Sequence, residues 1–187
     1  IDMADISQVT LTAKKMRDAG TPLDILINNA AQWLPGAMDS HDAYAIANTI
    51  TGNVTGTLLF TRGLLPLLEK SGAGDILNIV STSGIHNTPL QGASVAYIAS
   101  KHGQAGLTDA LRQELRGMHV RVTGIYPPNI LDVSPLDTAA WNAVPPDTSW
   151  PTNRDIVESA LFALSRPRHL TIASLMLESD SGNFHTH

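Results

Sequence analysis

At 187 residues the chain has the length of a single domain with room for a substantial core. Its net charge of −5, with basic residues scattered along the chain, argues against nucleic acid or an anionic membrane as a partner. The absence of cysteine excludes a disulfide framework and thiol chemistry, and fits a reducing, cytoplasmic compartment.

In chain order, Ile6 to Ala19 reads as a helix stopped by Gly20-Thr21-Pro22, and Ile25 to Ile27 as a central strand, apolar on both faces. His41 to Lys70 reads as one long helix, constrained by Pro66 and ended by Gly72 to Gly74. Its apolar region, Val54 to Leu68, is broken by Arg62, Gly63 and Pro66 and is too short to span a bilayer. Nor does the N-terminus, with Asp2 and Asp5, have the basic lead of a signal peptide. A strand is predicted at Ile76 to Val80, a helix at Ala96 to Arg116 and a strand at Val120 to Tyr126. After a Pro-rich stretch with a short helix near Leu136 to Asn142, the chain closes with a helix over Arg154 to Ser165 and a strand over Leu170 to Leu177. Alternating strands and helices imply a doubly wound parallel α/β sheet, whose ligands bind beyond the carboxyl ends of the strands. Asn28, Ser81 and Tyr126-Pro127 all fall at such ends.

The most telling stretch is Tyr97-Ile98-Ala99-Ser100-Lys101, which sets a phenol and an ammonium one helical turn apart on one face. A free phenol titrates near pH ~10 and carries protons poorly at neutral pH. A fixed cation beside it favours the phenolate, which makes the tyrosine a usable general acid/base. The seven histidines show no HExxH or similar metal spacing, and no metal site is expected, His185 and His187 at the terminus included.

Together with Asn53, the strand ending at Ser81 and the amide run Asn28-Asn29-Ala30-Ala31, this motif resembles the short-chain dehydrogenase/reductase family from Asp5 to about Leu177. The resemblance implies a Rossmann-type, three-layer α/β/α fold. It also implies an NAD(P)-dependent oxidoreductase that moves hydride between NAD or NADP and a small-molecule alcohol or carbonyl substrate. Tyr97 would be the proton donor or acceptor, and Lys101 would lower its pKa and hold the nicotinamide ribose. Ser81, with Ser83 as its rival, would hold the substrate oxygen. Asn53 would sit at a kink and anchor a water linking Lys101 to solvent. Asp5 and Ile6 would face the adenine, and Ala30 and Ala31 would offer backbone to the adenosine side. Asn28 would either stabilise the sheet or share in that contact. Pro127 and the backbone of Ile130 would lie at the nicotinamide end, and Leu131 to Pro151 would form a substrate flap. Trp33, Trp141 and Trp150 would line the pocket or pack the flap. A homodimer or homotetramer through the two long helices is the family's habit, and the Gly52/Gly56 pair would allow close approach.

Three departures accompany the resemblance. No glycine-rich phosphate turn follows a strand, and Gly72-Ala73-Gly74 precedes one, as a helix-to-strand turn does. Ile1 to Ile6 resembles the end of the family's third strand, so two strands and their helices, about 50–60 residues, would be missing, and Ile25 to Ile27 would become an exposed apolar edge. This predicts a partial single domain over 1–187. Pro128 and Asp132 replace a permissive glycine and a cofactor-holding threonine, and a carboxylate there would repel a pyrophosphate. These departures support the alternative of a non-catalytic, cofactor-sensing or oligomer-forming scaffold, or of an inactive fragment.

Overall fold

The two apolar runs around Ile76 and Ile125 form the middle of a four-stranded sheet. The computed structural model describes residues 1–143 and 150–180, so part of the expected flap, 144–149, and His185 and His187 lie outside the described residues. The strands are β1 (Ile25–Asn28), β2 (Asp75–Ile79), β3 (Arg121–Tyr126) and β4 (Ser174–Met176), in the order β1-β2-β3-β4 and all parallel. The helices are α1 (Ile6–Ala19), α2 (Ala43–Ile50), α3 (Thr57–Ser71), α4 (Val95–Glu114), α5 (Thr138–Asn142) and α6 (Asn153–Leu164). One core, built on Leu26, Leu64, Leu68, Ile76, Leu111 and Val122, joins one sheet face to α1, α3 and α4. A smaller one, Leu77, Ile125 and Ile156, joins the other face to α6. This is the three-layer arrangement expected from the alternating pattern.

β1 departs from its expected central burial. Leu26 and Asn28 face the larger core, whereas Ile25 and Ile27 are 43% and 51% exposed on the opposite face. β1 is the edge of the sheet, and α6 lies over β3 too far away to cover it. The exposed apolar edge anticipated from the sequence is present.

The long second helix is not uniform. Asp42 caps its start by accepting from Ala45 N–H, Thr51–Gly56 are π-helical, and α3 continues from Thr57. The break expected at Asn53 thus takes the form of a π turn, which widens the backbone ladder locally. Gly52 and Gly56 do not serve a helix partner. They face the N-terminal segment, and a Cβ at Gly56 would stand 2.0 Å from the Met3 carbonyl oxygen.

Nor is Ile1 to Ile6 the end of a strand. Asp2 accepts from Ala4 N–H and Asp5 caps α1 by accepting from Gln8 N–H, so local side chains satisfy the backbone where no strand lies alongside. The last strand is shorter than expected because side chains capture its acceptors. Arg121 Nη1 donates to Leu170 O and Thr123 Oγ1 donates to Ile172 O.

Two buried polar networks fix the sheet. Asn28 Nδ2 donates to Thr61 Oγ1 and Asn78 Oδ1, and Asn78 Nδ2 donates to Thr108 Oγ1, a ladder from α3 through β1 and β2 to α4. At the other end, Asp75 pairs with Arg121 at 2.7 Å and with Arg168 at 2.9 Å. The Arg121 guanidinium also donates to the carbonyls of Leu164, Arg166 and Leu170, which pins the segment after α6 beneath the sheet.

Candidate active site

Tyr97 and Lys101 lie in the first two turns of α4, whose start is fixed by Ser94: its Oγ accepts from Tyr97 N–H at 3.2 Å. Ser81 follows β2 at the carboxyl end of the sheet, and its side chain stands near enough to the Tyr97 phenol to act on its pKa. Its backbone sits at φ 149°, a region costly for a side-chain-bearing residue, and its Oγ accepts from Ser83 N–H at 3.0 Å. Of the two candidate serines, Ser81 is therefore the one on Tyr97, with Ser83 supporting it through the backbone. Gly84 makes this approach possible, since a Cβ there would lie 2.7 Å from the Lys101 carbonyl oxygen.

Lys101 is 3% exposed. Its Nζ lies 5.6 Å from the centre of the Tyr97 ring and donates to Gln104 Oε1 at 2.8 Å. Burial pushes this ammonium down to about 8. Tyr97 moves the opposite way from the sequence expectation. Burial raises its pKa, and the Ser81 hydroxyl only opposes that rise. The reason is geometric: the lysine stands over the ring and is turned to Gln104, so desolvation of the phenol dominates.

Asn53 is completely buried and fully engaged. Its Oδ1 accepts from Gln32 N–H at 2.6 Å, and its Nδ2 donates to Gln32 O and Ser100 Oγ. The side chain thus ties the loop after β1 to α4. Gln104 also joins Asn53 to Lys101 through its own side chain, since its Nε2 donates to Asn53 O at 2.8 Å. Gln32, Ser100 and Gln104 escaped sequence reading. For Gln104 the signal was its position three residues after Lys101, on the same helix face.

Ala30 and Ala31 line a cavity of about 210 Å³ together with Asn53 and the segment Ile1 to Ala4; Asp5 and Ile6 do not line it. Asp5 is engaged as a helix cap, where hydrogen bonds from Gln8 hold its carboxyl below the ordinary range. Pro127 O accepts from Thr82 N–H at 2.9 Å, which joins the turn after Ser81 to the end of β3. Ile130 packs into the smaller core. Asp132 accepts from Asn153 Nδ2 at 2.8 Å, while Leu131 exchanges backbone bonds with Pro151 and Asn153, so the two ends of the expected flap meet at its base. Trp33 packs edge-on against Tyr97, ring centres 4.5 Å apart, and is 49% exposed. No group of three metal-ligating side chains occurs among the described residues, and no helix there is long and apolar enough to cross a membrane.

Residues 1–142 match the model of the short chain dehydrogenase family. An uncharacterised oxidoreductase of Staphylococcus saprophyticus is 32% identical over 177 residues, covering 92% of this chain and 70% of that protein. The chain spans 62% of the length of a related Staphylococcus aureus oxidoreductase, with 33% identity over 150 residues and 80% of this chain covered. A short-chain dehydrogenase/reductase structure from Burkholderia xenovorans superposes with a TM-score of 0.77 and 27% identity, over 96% of this chain and 71% of that one. An alcohol dehydrogenase from Thermococcus sibiricus, solved with 5-hydroxy-NADP, shares the fold with a TM-score of 0.77 at 18% identity, over 98% of this chain and 74% of that one. With the family model covering most of its length and the parallel α/β/α architecture in agreement, the chain belongs to the short-chain dehydrogenase family.

Proposed function

We propose that this chain carries the reaction centre of an NAD(P)-dependent oxidoreductase that interconverts an alcohol and a carbonyl compound. The observation that carries the reading is the convergence of Ser81, Tyr97 and Lys101, from two separate elements, at the carboxyl end of a parallel sheet. A polar cluster of this kind, drawn into a buried site at a strand end, is where such folds place their chemistry.

The residues present fit the ribose and nicotinamide end of the cofactor. Lys101 makes one hydrogen bond among the described residues, and an ammonium has three donors, so two remain for ribose hydroxyls. The backbone at Asn29 to Ala31 is exposed at the end of β1 and is available to the adenosine side. The nicotinamide, when bound, supplies or accepts the hydride. Tyr97 gives its phenolic proton to the carbonyl oxygen in reduction and takes it back in oxidation. Ser81 holds that oxygen and stabilises the charge that develops on it. The Lys101 charge, 5.6 Å from the ring centre, would favour the phenolate when Tyr97 gives up its proton, and its free donors would hold the ribose hydroxyls. Trp33, edge-on to Tyr97 and half exposed, forms an apolar wall beside the reacting carbon. The partner is a small molecule, and self-assembly into a dimer or tetramer would use the exposed Leu58 on α3 and Val95 on α4.

Titration of the chain with NADH and NADPH, followed by nucleotide fluorescence, tests this reading. Saturable binding of one of the two nucleotides is expected. A folded chain that binds neither nucleotide would contradict it.

A further inference from the structure

Gln104 is 4% exposed and spans two partners that cannot exchange roles. On one side the Lys101 ammonium donates to its Oε1 at 2.8 Å. On the other its Nε2 donates to Asn53 O, also at 2.8 Å, in the π-helical stretch where the ladder of backbone bonds admits a side chain. An ammonium can only donate and a carbonyl can only accept, so one orientation of the amide satisfies both, and a flipped amide satisfies neither. Thr108 Oγ1 donates to Gln104 O, which closes the turn of α4 behind it. No salt bridge reaches Lys101 among the described residues, and the titratable group beside it is Tyr97. A neutral amide is thus the polar group that sets where the lysine's charge rests.

We infer that Gln104 is a positioning residue for the proposed oxidoreductase reaction: it anchors the Lys101 ammonium to the π turn at Asn53, over the Tyr97 ring. This inference rests on the oxidoreductase reading, because Lys101 acts on Tyr97 only within that reaction. The neutral amide matters. A carboxylate at this place would hold the ammonium more tightly, present an oxygen to the Asn53 carbonyl, and cancel the charge that Tyr97 needs. An apolar side chain would leave the buried ammonium without its hydrogen bond and remove the amide donor from the Asn53 carbonyl.

The test reads Lys101 directly in the free protein. With lysine labelled at ¹³Cε, the chain shows resonances from Lys14, Lys15, Lys70 and Lys101, and the Lys101 signal is the one missing in Lys101→Met. It titrates near 8, where burial places it. In Gln104→Glu its midpoint moves up by about one pH unit or more, the effect of an opposite charge in contact. In Gln104→Met, whose side chain has similar length, kcat for carbonyl reduction falls by roughly 10- to 100-fold, the scale of a small misplacement at a reaction centre, while the melting transition stays cooperative. If Gln104→Glu does not fold, the Lys101 midpoint in Gln104→Met decides the contact instead and moves down. An unmoved Lys101 midpoint overturns the inference. So does a moved midpoint with kcat unchanged in Gln104→Met, since Gln104 would then touch Lys101 without serving the reaction. If the wild-type chain reduces no carbonyl at all, the oxidoreductase reading fails, and the positioning role falls with it even where the Lys101 titration demonstrates the contact.

Discussion

Replacing Tyr97 by Phe is expected to lower the rate of carbonyl reduction by roughly 10²- to 10⁴-fold, the usual contribution of a positioned general acid. The substitution removes one oxygen. The ring that packs edge-on against Trp33 at 4.5 Å remains, as does the surface under the Lys101 ammonium. Nucleotide binding and the melting temperature should therefore change little, and the loss should lie in kcat. Ser81 loses its neighbour on Tyr97, but its Oγ still accepts from Ser83 N–H, so the turn after β2 keeps its shape. A scaffold that senses cofactor without catalysis predicts the opposite: any residual reductase rate would be the same in both proteins. Steady-state kinetics of the two proteins at matched nucleotide saturation separates these outcomes.

The second large effect lies at the opposite end of the sheet. Asp75→Ala is expected to destabilise the fold by about 3–5 kcal/mol, the cost of leaving a buried charge without its counter-ion. Arg121 is 9% exposed, so water cannot replace the lost carboxylate, and Arg168 loses the same partner. The carbonyls of Leu164, Arg166 and Leu170 still accept from Arg121, but they supply no charge. β4 is held next to β3 by this arrangement, so the loss should appear as early unravelling of the C-terminal strand. Urea unfolding with linear extrapolation measures the change, and a shift below about 1 kcal/mol would show that the network is not coupled to global stability.

Much of the fold was legible because parallel-sheet strands and their crossover helices carry strong local signals. Gly20 and Gly72, both in the left-handed conformation, end α1 and α3 where the sequence placed their stops. The cluster was legible for a related reason: Tyr97 and Lys101 are fixed by helical spacing, and Ser81 by its place at a strand end. What stayed hidden depends on contacts between distant segments. Nothing in the residues around Asp75 announces its pairing with Arg121 and Arg168, which lie 46 and 93 positions away. The direction of the Tyr97 shift was misjudged because spacing shows that a cation is near, whereas burial and the turn of Lys101 toward Gln104 decide which effect wins. The same limit applied at Gly56. A small-residue pair on a helix permits close approach, but only the fold reveals that the neighbour is the backbone of Met3.

In the proposed reaction, hydride passes between a nicotinamide and a carbon whose oxygen exchanges a proton with Tyr97. Isotope transfer tests it most directly. The chain is incubated with NADH or NADPH deuterated at the nicotinamide C4 and with a panel of aldehydes and ketones, and the alcohol products are weighed by mass spectrometry. The expected product is an alcohol carrying one deuterium at the carbinol carbon, formed by the wild-type chain and lost in Tyr97→Phe. Nucleotide bound without any deuterated alcohol from any carbonyl offered, or deuterium transfer undiminished in Tyr97→Phe, would contradict it.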